Sequence, residues 1–229
     1  MRVALVGIGR MGRAIEDVAR TRGHEIVARI GRGDDVARVA RAARAEVAFE
    51  FTNPDQAGAN VAQLVELGVP TVSGTTGWDP GPALARADVL GTPCLVAPNF
   101  SIGMAVTNSL AARAARALAP FPEFEPGIIE RHHSKKADVP SGSARMLAAA
   151  VATAAEARKE VPVAALRQGS QPGEHQVIFD GPDEEIAIVH RVRSRSVFAS
   201  GAVLAAEWIV RARPRGALRF EDFLERSRS

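Results

Sequence analysis

The stretch ERHHSKKADVPSGS, residues 130–143, sets two adjacent histidines, two adjacent lysines and two carboxylates just ahead of a helix start. Histidine is the side chain best suited to proton transfer near neutral pH, so His132 is a candidate acid. Lys136 supplies a nearby cation. Ser141, Gly142 and Ser143 have the composition of an N-terminal helix cap, whose backbone N–H groups can hold an anion. Together these groups describe a pocket for an acidic substrate that needs a proton. Two duller readings compete. A solvated loop has the same composition, and Glu130 and Asp138 can equally orient the histidines or end a strand and cap the helix. A metal site is not expected. Neighbours such as His132 and His133 point to opposite faces of an extended segment, no third histidine or cysteine cluster is close in sequence, and Lys135 and Lys136 repel a cation.

A second constellation lies at the start. GIGRMGR places Gly7, Gly9 and Gly12 directly after an apolar run and at the opening of an amphipathic stretch, the G-x-G-x-x-G pattern of a dinucleotide-binding turn. Gly7 allows the tight turn, Gly9 the approach of a pyrophosphate, and Gly12 close packing of helix on strand. The second strand ends in ARIGRGDD, with Gly31 where NAD-preferring sites carry an acid and Arg32 next to it. A guanidinium suits a 2′-phosphate, so NADPH is the expected cofactor and NADH the secondary one. Asp34 and Asp35 stand against that preference if the loop brings one of them to the ribose. SGTTGW (73–78) and APNFSIG (97–103) follow later strands, where ligands of open α/β sheets bind; plain turn chemistry is the alternative for each.

These groups need a frame. Over the first hundred residues apolar runs (VALV, EIVARI, VAFEF, VPTVSG, PCLVAP) alternate with helical patterns, which predicts a Rossmann-type parallel sheet with helices on both faces. A long helix at 101–120, a helix at 141–158 and two alternating stretches at 174–180 and 184–192 predict a smaller α+β domain with an open mixed sheet. The expected division is 1–100 with 205–229 for the dinucleotide and 101–204 for substrate and oligomerisation. The 229 residues are 46% apolar with no run long enough for a membrane span, and the short apolar start is taken as a buried strand rather than a leader. A single cysteine, Cys94, excludes an internal disulfide and fits a reducing cytoplasm. Its apolar strand setting argues against a nucleophilic role. The net charge of +3 is spread over scattered arginines with few aromatics, so neither nucleic acid nor membrane is an expected partner. Tyrosine is absent, which removes any mechanism with a tyrosine acid.

The stretch from Glu130 to Ala144 resembles the signature E-x-H-H-x-x-K-x-D-x-P-S-G-T-A of the 4-hydroxy-tetrahydrodipicolinate reductase family, with Ser143 in place of Thr. GIGRMGR, EFTNP, SGTTGW, APNFSIG and RSRSVFASGA resemble family segments in the same order, nearly spanning the chain. The resemblance implies hydride transfer from NAD(P)H to a cyclic dicarboxylate imine in diaminopimelate and lysine biosynthesis, by a cytoplasmic homotetramer. It implies that His132 is the general acid and Lys136 a second proton donor or pocket cation. His133, Ser141, Gly142, Ser143, Thr76 and Arg195 would contact substrate. Gly7, Ile8, Gly9, Arg10, Met11, Gly12, Arg32, Gly74, Thr75, Thr76, Ala97, Pro98, Asn99 and Phe100 would contact cofactor. Competing readings are another Rossmann reductase of amino-acid metabolism and a dinucleotide sensor without catalysis.

Overall fold

The computed structural model describes residues 1–157 and 159–226. Its strands are β1 (Arg2–Val6), β2 (Glu25–Ile30), β3 (Val47–Glu50), β4 (Thr71–Ser73), β5 (Cys94–Val96), β6 (Glu125–His132), β7 (Val163–Arg167), β8 (Gly173–Asp180), β9 (Glu185–Val192) and β10 (Ala217–Leu218). Its helices are α1 (Arg10–Thr21), α2 (Val36–Ala42), α3 (Pro54–Glu66), α4 (Gly81–Leu90), α5 (Ile102–Leu118), α6 (Gly142–Ala154), α7 (Ser196–Ala212) and α8 (Phe220–Arg226). No helix among the described residues is long and apolar enough to cross a membrane.

The chain divides into two compact units, Met1–Phe100 with the chain from Ser196 onward, and Ser101–Arg195. The first holds a parallel sheet in the order β10-β5-β4-β3-β1-β2. β3 is buried along its whole length, as expected of a strand covered on both faces. Ala4, Val6, Ala28, Ile30 and Leu64 form one core on this sheet, and Val61, Val65, Ala87 and Cys94 another. Asp35 and Asn53 cap α2 and α3, accepting N–H groups from Arg38 and Gln56 and so fixing where each loop ends. The return to this unit comes at Ser196, not at 205. α7 packs as one helix with α1, and a division at 205 would cut it.

The second unit is a mixed sheet in the order β7-β6-β8-β9, with β6–β7 parallel and the other pairs antiparallel, backed by α5 and α6. Met104, Ile128, Leu147, Val151, Val177 and Phe179 fill the layer between sheet and helices. Full burial of each of the larger side chains contributes about 1.5–3 kcal/mol. The helix expected over 141–158 ends at Ala154, and position 158 lies outside the described residues.

Candidate active site

In the first unit the glycine turn has the expected geometry. Gly7 has φ +94°, and a Cβ there would fall 2.2 Å from the Phe51 carbonyl oxygen. A Cβ on Gly12 would lie 2.0 Å from the Gly7 oxygen, so α1 can seat against the turn only with glycine at that position. At Gly9, which caps α1, added bulk would meet nothing within 4 Å among the described residues, leaving its backbone open to a ligand. Arg10 and Met11 open the helix. Gly7, Ile8, Gly9, Gly31, Arg32 and Asp34 line a cleft of ≈ 380 Å³, closed on the other side by Thr52, Asn53, Gln56 and Asn60.

The other expected cofactor residues sit further along the same carboxyl edge, after β4 and β5. A Cβ on Gly74 would strike the Phe51 ring at 2.1 Å, which accounts for glycine there. Thr75 is buried, and Thr76 is exposed beside it. Ala97 and Phe100 are buried, Asn99 is half-buried, and Pro98 is exposed. Beneath these loops lies a fully buried carboxylate. Glu50 accepts hydroxyl hydrogen bonds from Ser73 at 2.6 Å, Thr75 at 3.1 Å and Thr52. Thr75 Oγ1 in turn accepts the Thr52 N–H at 2.8 Å, and Trp78 Nε1 donates to the Thr75 oxygen at 2.8 Å. Glu50 therefore ties the loops after β3 and β4 to each other.

In the second unit strand alternation separates the histidines as expected. His132 is buried at the end of β6 and His133 is half-exposed. His133 accepts a hydrogen bond from Arg195, 2.7 Å away. The new element is what surrounds His132. Glu130, two residues back on the same face and fully buried, accepts the Ser141 N–H at 2.9 Å and an Arg167 N–H at 2.7 Å on one carboxylate oxygen. Its other oxygen stands 3.2 Å from His132 Nδ1, close enough for the charges to couple, without the alignment of a hydrogen bond. His175, from β8, stacks edge-on against His132 with ring centres 5.0 Å apart and pairs with the Ser141 hydroxyl at 3.2 Å. Ser141 also caps α6 by accepting the Ala144 N–H. Glu130 thus sets its charge beside the histidine and anchors the helix start at once, so the two roles that the sequence left as alternatives are compatible.

The charges of the cluster are set by burial and by one another. Burial pushes Glu130 up, but the hydrogen bonds from Ser141 and Arg167 outweigh it and hold the carboxyl below its usual range. His132 is held below its ordinary value, chiefly by burial; Glu130 pulls it up while Lys136 and Arg167 push it down. His175 is pushed down to about 4, by burial first and then by His132. Lys136 Nζ lies 2.6 Å from Asp138, and this contact, with a backbone contribution from Gly142, holds the Asp138 carboxyl low. An internal carboxylate therefore already rests on the cation and helix start expected to take a substrate carboxylate.

Glu130, His132 and His175 offer donor atoms all within 4.8 Å of one another, so the fold supplies the third ligand that the sequence did not show. The donor set still suits a cation poorly, because the Arg167 guanidinium already neutralises the carboxylate. Cys94 is fully buried and its thiol is pushed up to about 12 by burial, the setting of an inert side chain.

The family models for dihydrodipicolinate reductase match this chain at residues 1–100 for the N-terminus and 103–224 for the C-terminus. The chain belongs to the dihydrodipicolinate reductase family. It is an NAD(P)H-dependent oxidoreductase of that family. The 4-hydroxy-tetrahydrodipicolinate reductase of Christiangramia forsetii is 34% identical over 91% of this chain and 92% of its own length. That of Archaeoglobus fulgidus is 33% identical over 98% of this chain and 100% of its own. Dipicolinate-bound dihydrodipicolinate reductase from Paenisporosarcina sp. TG-14 shares the fold, with a TM-score of 0.83 over 96% of this chain and 97% of that one at 22% identity.

Sequence reasoning gave no role to His175 and Arg167 in the second unit's cluster or to Glu50 beneath the loops of the first. His175 carried a signal: it falls in register with Val177 and Phe179 on the buried face of an alternating strand, where a polar side chain needs a partner. Arg167 carried none, since its partner is set by the pairing of two strands.

Proposed function

We propose that this chain reduces 4-hydroxy-tetrahydrodipicolinate to tetrahydrodipicolinate with a nicotinamide nucleotide, in diaminopimelate and lysine biosynthesis. Loss of the hydroxyl as water leaves a conjugated C=C–C=N system. Hydride from the nicotinamide adds to the alkene end, and the enamine-like carbon that results takes a proton. The balance is one NAD(P)H and one proton consumed, one NAD(P)⁺ and one water released. His132 delivers the proton, and such positioned transfer contributes about 10²–10⁴-fold. Lys136 and the N–H groups of Gly142 and Ser143 with the Ser143 hydroxyl receive one substrate carboxylate, and Ser141, held by Glu130, sets the helix start that presents them. His133, Arg195 and Thr76 complete the contacts. Substrate binding displaces Asp138 from Lys136.

The nucleotide lies along Gly7, Ile8, Gly9, Arg10, Met11 and Gly12, with Arg32 at its ribose end and Gly74, Thr75, Thr76, Ala97, Pro98, Asn99 and Phe100 toward the nicotinamide. Arg32 favours NADPH, with NADH as the second donor. The protein works as a cytoplasmic homotetramer assembled through its second unit. The observation that supports the chemistry most directly is the convergence of a buried imidazole, its carboxylate partner, a cation and a helix start in one unit. The test is oxidation of NADPH by the purified protein when the product of dihydrodipicolinate synthase is supplied. Binding of NADPH without its oxidation would reduce the protein to a nucleotide sensor.

A further inference from the structure

We infer that Asp34 takes the nucleotide's ribose hydroxyls in place of the acidic side chain that Gly31 lacks, and so keeps NADH usable beside NADPH. This deepens the nucleotide reading above and rests on it. In sites of this kind the ribose diol is held by a carboxylate at the end of the second strand. Here β2 ends at Ile30 and the next residue is Gly31. Gly33, at φ +88°, turns the chain back, and Asp34 Oδ2 accepts the Gly31 N–H at 2.7 Å. A Cβ built on Gly31 would lie 3.7 Å from that same oxygen. Three bonds beyond Cβ, about 3–4 Å, is the reach of a glutamate's carboxylate oxygen. Asp34 therefore brings, from three positions downstream, a carboxylate within a glutamate's reach of position 31, with Oδ2 on the Gly31 N–H and Oδ1 left for the ribose.

The neighbouring acid is committed elsewhere: Asp35 Oδ1 caps α2, accepting the Arg38 N–H at 2.8 Å. Asp34 is exposed and lines the same cleft as Gly7 and Gly9, with Arg32 two residues away. A carboxylate there accepts from the 2′- and 3′-hydroxyls of NADH and repels the 2′-phosphate of NADPH. The Arg32 guanidinium does the reverse. The two opposed groups in one short loop make a site that admits both nucleotides, with the ratio set by their balance.

The experiment measures Kd for NADPH and for NADH on the purified full chain, from the fluorescence of the reduced nicotinamide, with no dicarboxylate present. The reductase reading is thereby not engaged. Asp34→Asn keeps an acceptor for the Gly31 N–H, so the loop holds, and removes only the charge. Charge-assisted hydrogen bonds are roughly twice as strong as neutral ones. The expected result is a shift of at least about tenfold in the affinity ratio toward NADPH, with NADH weakened. Arg32→Ala moves the ratio the other way. Gly31→Glu in the Asp34→Asn background returns NADH binding toward the parent value. A ratio within about threefold of the parent in Asp34→Asn, an equal weakening of both nucleotides, or no rescue by Gly31→Glu overturns the assignment. A parent protein that binds neither nucleotide sinks the nucleotide reading as well.

Discussion

Glu130→Gln isolates the feature on which the proposed proton transfer depends. The substitution keeps the shape of the side chain, and Oε1 can still accept from Ser141 and Arg167, but the charge 3.2 Å from His132 Nδ1 is lost. Two unit charges at that distance attract by about 5 kcal/mol at an effective dielectric of 20. Arg167 on the opposite oxygen cancels much of this. If about 2 kcal/mol of the attraction survives when His132 carries its proton, kcat falls about thirtyfold. The direction of the pH effect is fixed by the same geometry. Glu130 raises His132, so its removal lowers the imidazole further and moves the alkaline limb of kcat/KM to lower pH. Stability also falls, because the half-buried Arg167 guanidinium loses its counter-charge. Breaking a buried pair outright costs about 3–5 kcal/mol, and a neutral acceptor together with the Asp138 carbonyl at 2.6 Å reduces this to roughly 2–3 kcal/mol. At about 2–4 °C per kcal/mol, Tm drops by roughly 5–10 °C. Steady-state kinetics across pH and thermal unfolding read the two effects separately. A variant that melts early yet keeps kcat within threefold of the parent and an unmoved pH limb would show that Glu130 only holds the strand and helix together.

His132→Gln should lose about 10²–10⁴-fold in kcat, with NADPH affinity unchanged by direct titration; a loss below threefold removes His132 from the acid role. Acid should destabilise the protein through His175. Its folded value, about 4, lies below the ordinary 6.5, so its contribution is fully present above pH 6.5 and drains away as pH falls toward 4. The limit is about 3 kcal/mol, and comparing Tm at neutral and acid pH for the parent and His175→Gln checks it, since the variant should show the shallower dependence. Glu50→Gln replaces a charged acceptor of hydroxyls by a neutral one, at a cost of about 1–2 kcal/mol. Looser loops after β3 and β4 should also raise Kd for NADPH several-fold, and an unchanged Tm with unchanged Kd would free Glu50 of both roles.

The nucleotide half is written along the chain because its geometry is local. Gly7 and Gly12 must be glycine on account of atoms only a few residues away or just past the adjoining strand, and five strands announce themselves as apolar runs. Shorter pieces carry no such pattern. β10 is two residues long, and β7, VAALR, is largely exposed and alanine-rich, so neither has a period to read. The loop at 31–35 is an intermediate case: its acids are visible in sequence, but which of them folds back depends on a positive φ at Gly33 and on the cap that Asp35 gives α2.

The acid cluster is different in kind, because strand register makes it. On β6, Glu130 faces His175 of β8 on one side, while His132 faces Arg167 of β7 on the other. Because side chains alternate with a period of two, a slip of one residue between β6 and β8 would turn His175 to the opposite face and bring Glu174 or Gln176 toward Glu130. Nothing in the cluster itself prevents that slip. What prevents it is the apolar pairing further along the same strands, where Ile128 meets Val177 and Pro126 meets Phe179 against Leu147 and Val151 of α6. The core residues of this unit therefore do two jobs with one set of contacts: they hold the sheet to its helices, and they index the strands so that one carboxylate reaches the imidazole, the guanidinium and the helix start together.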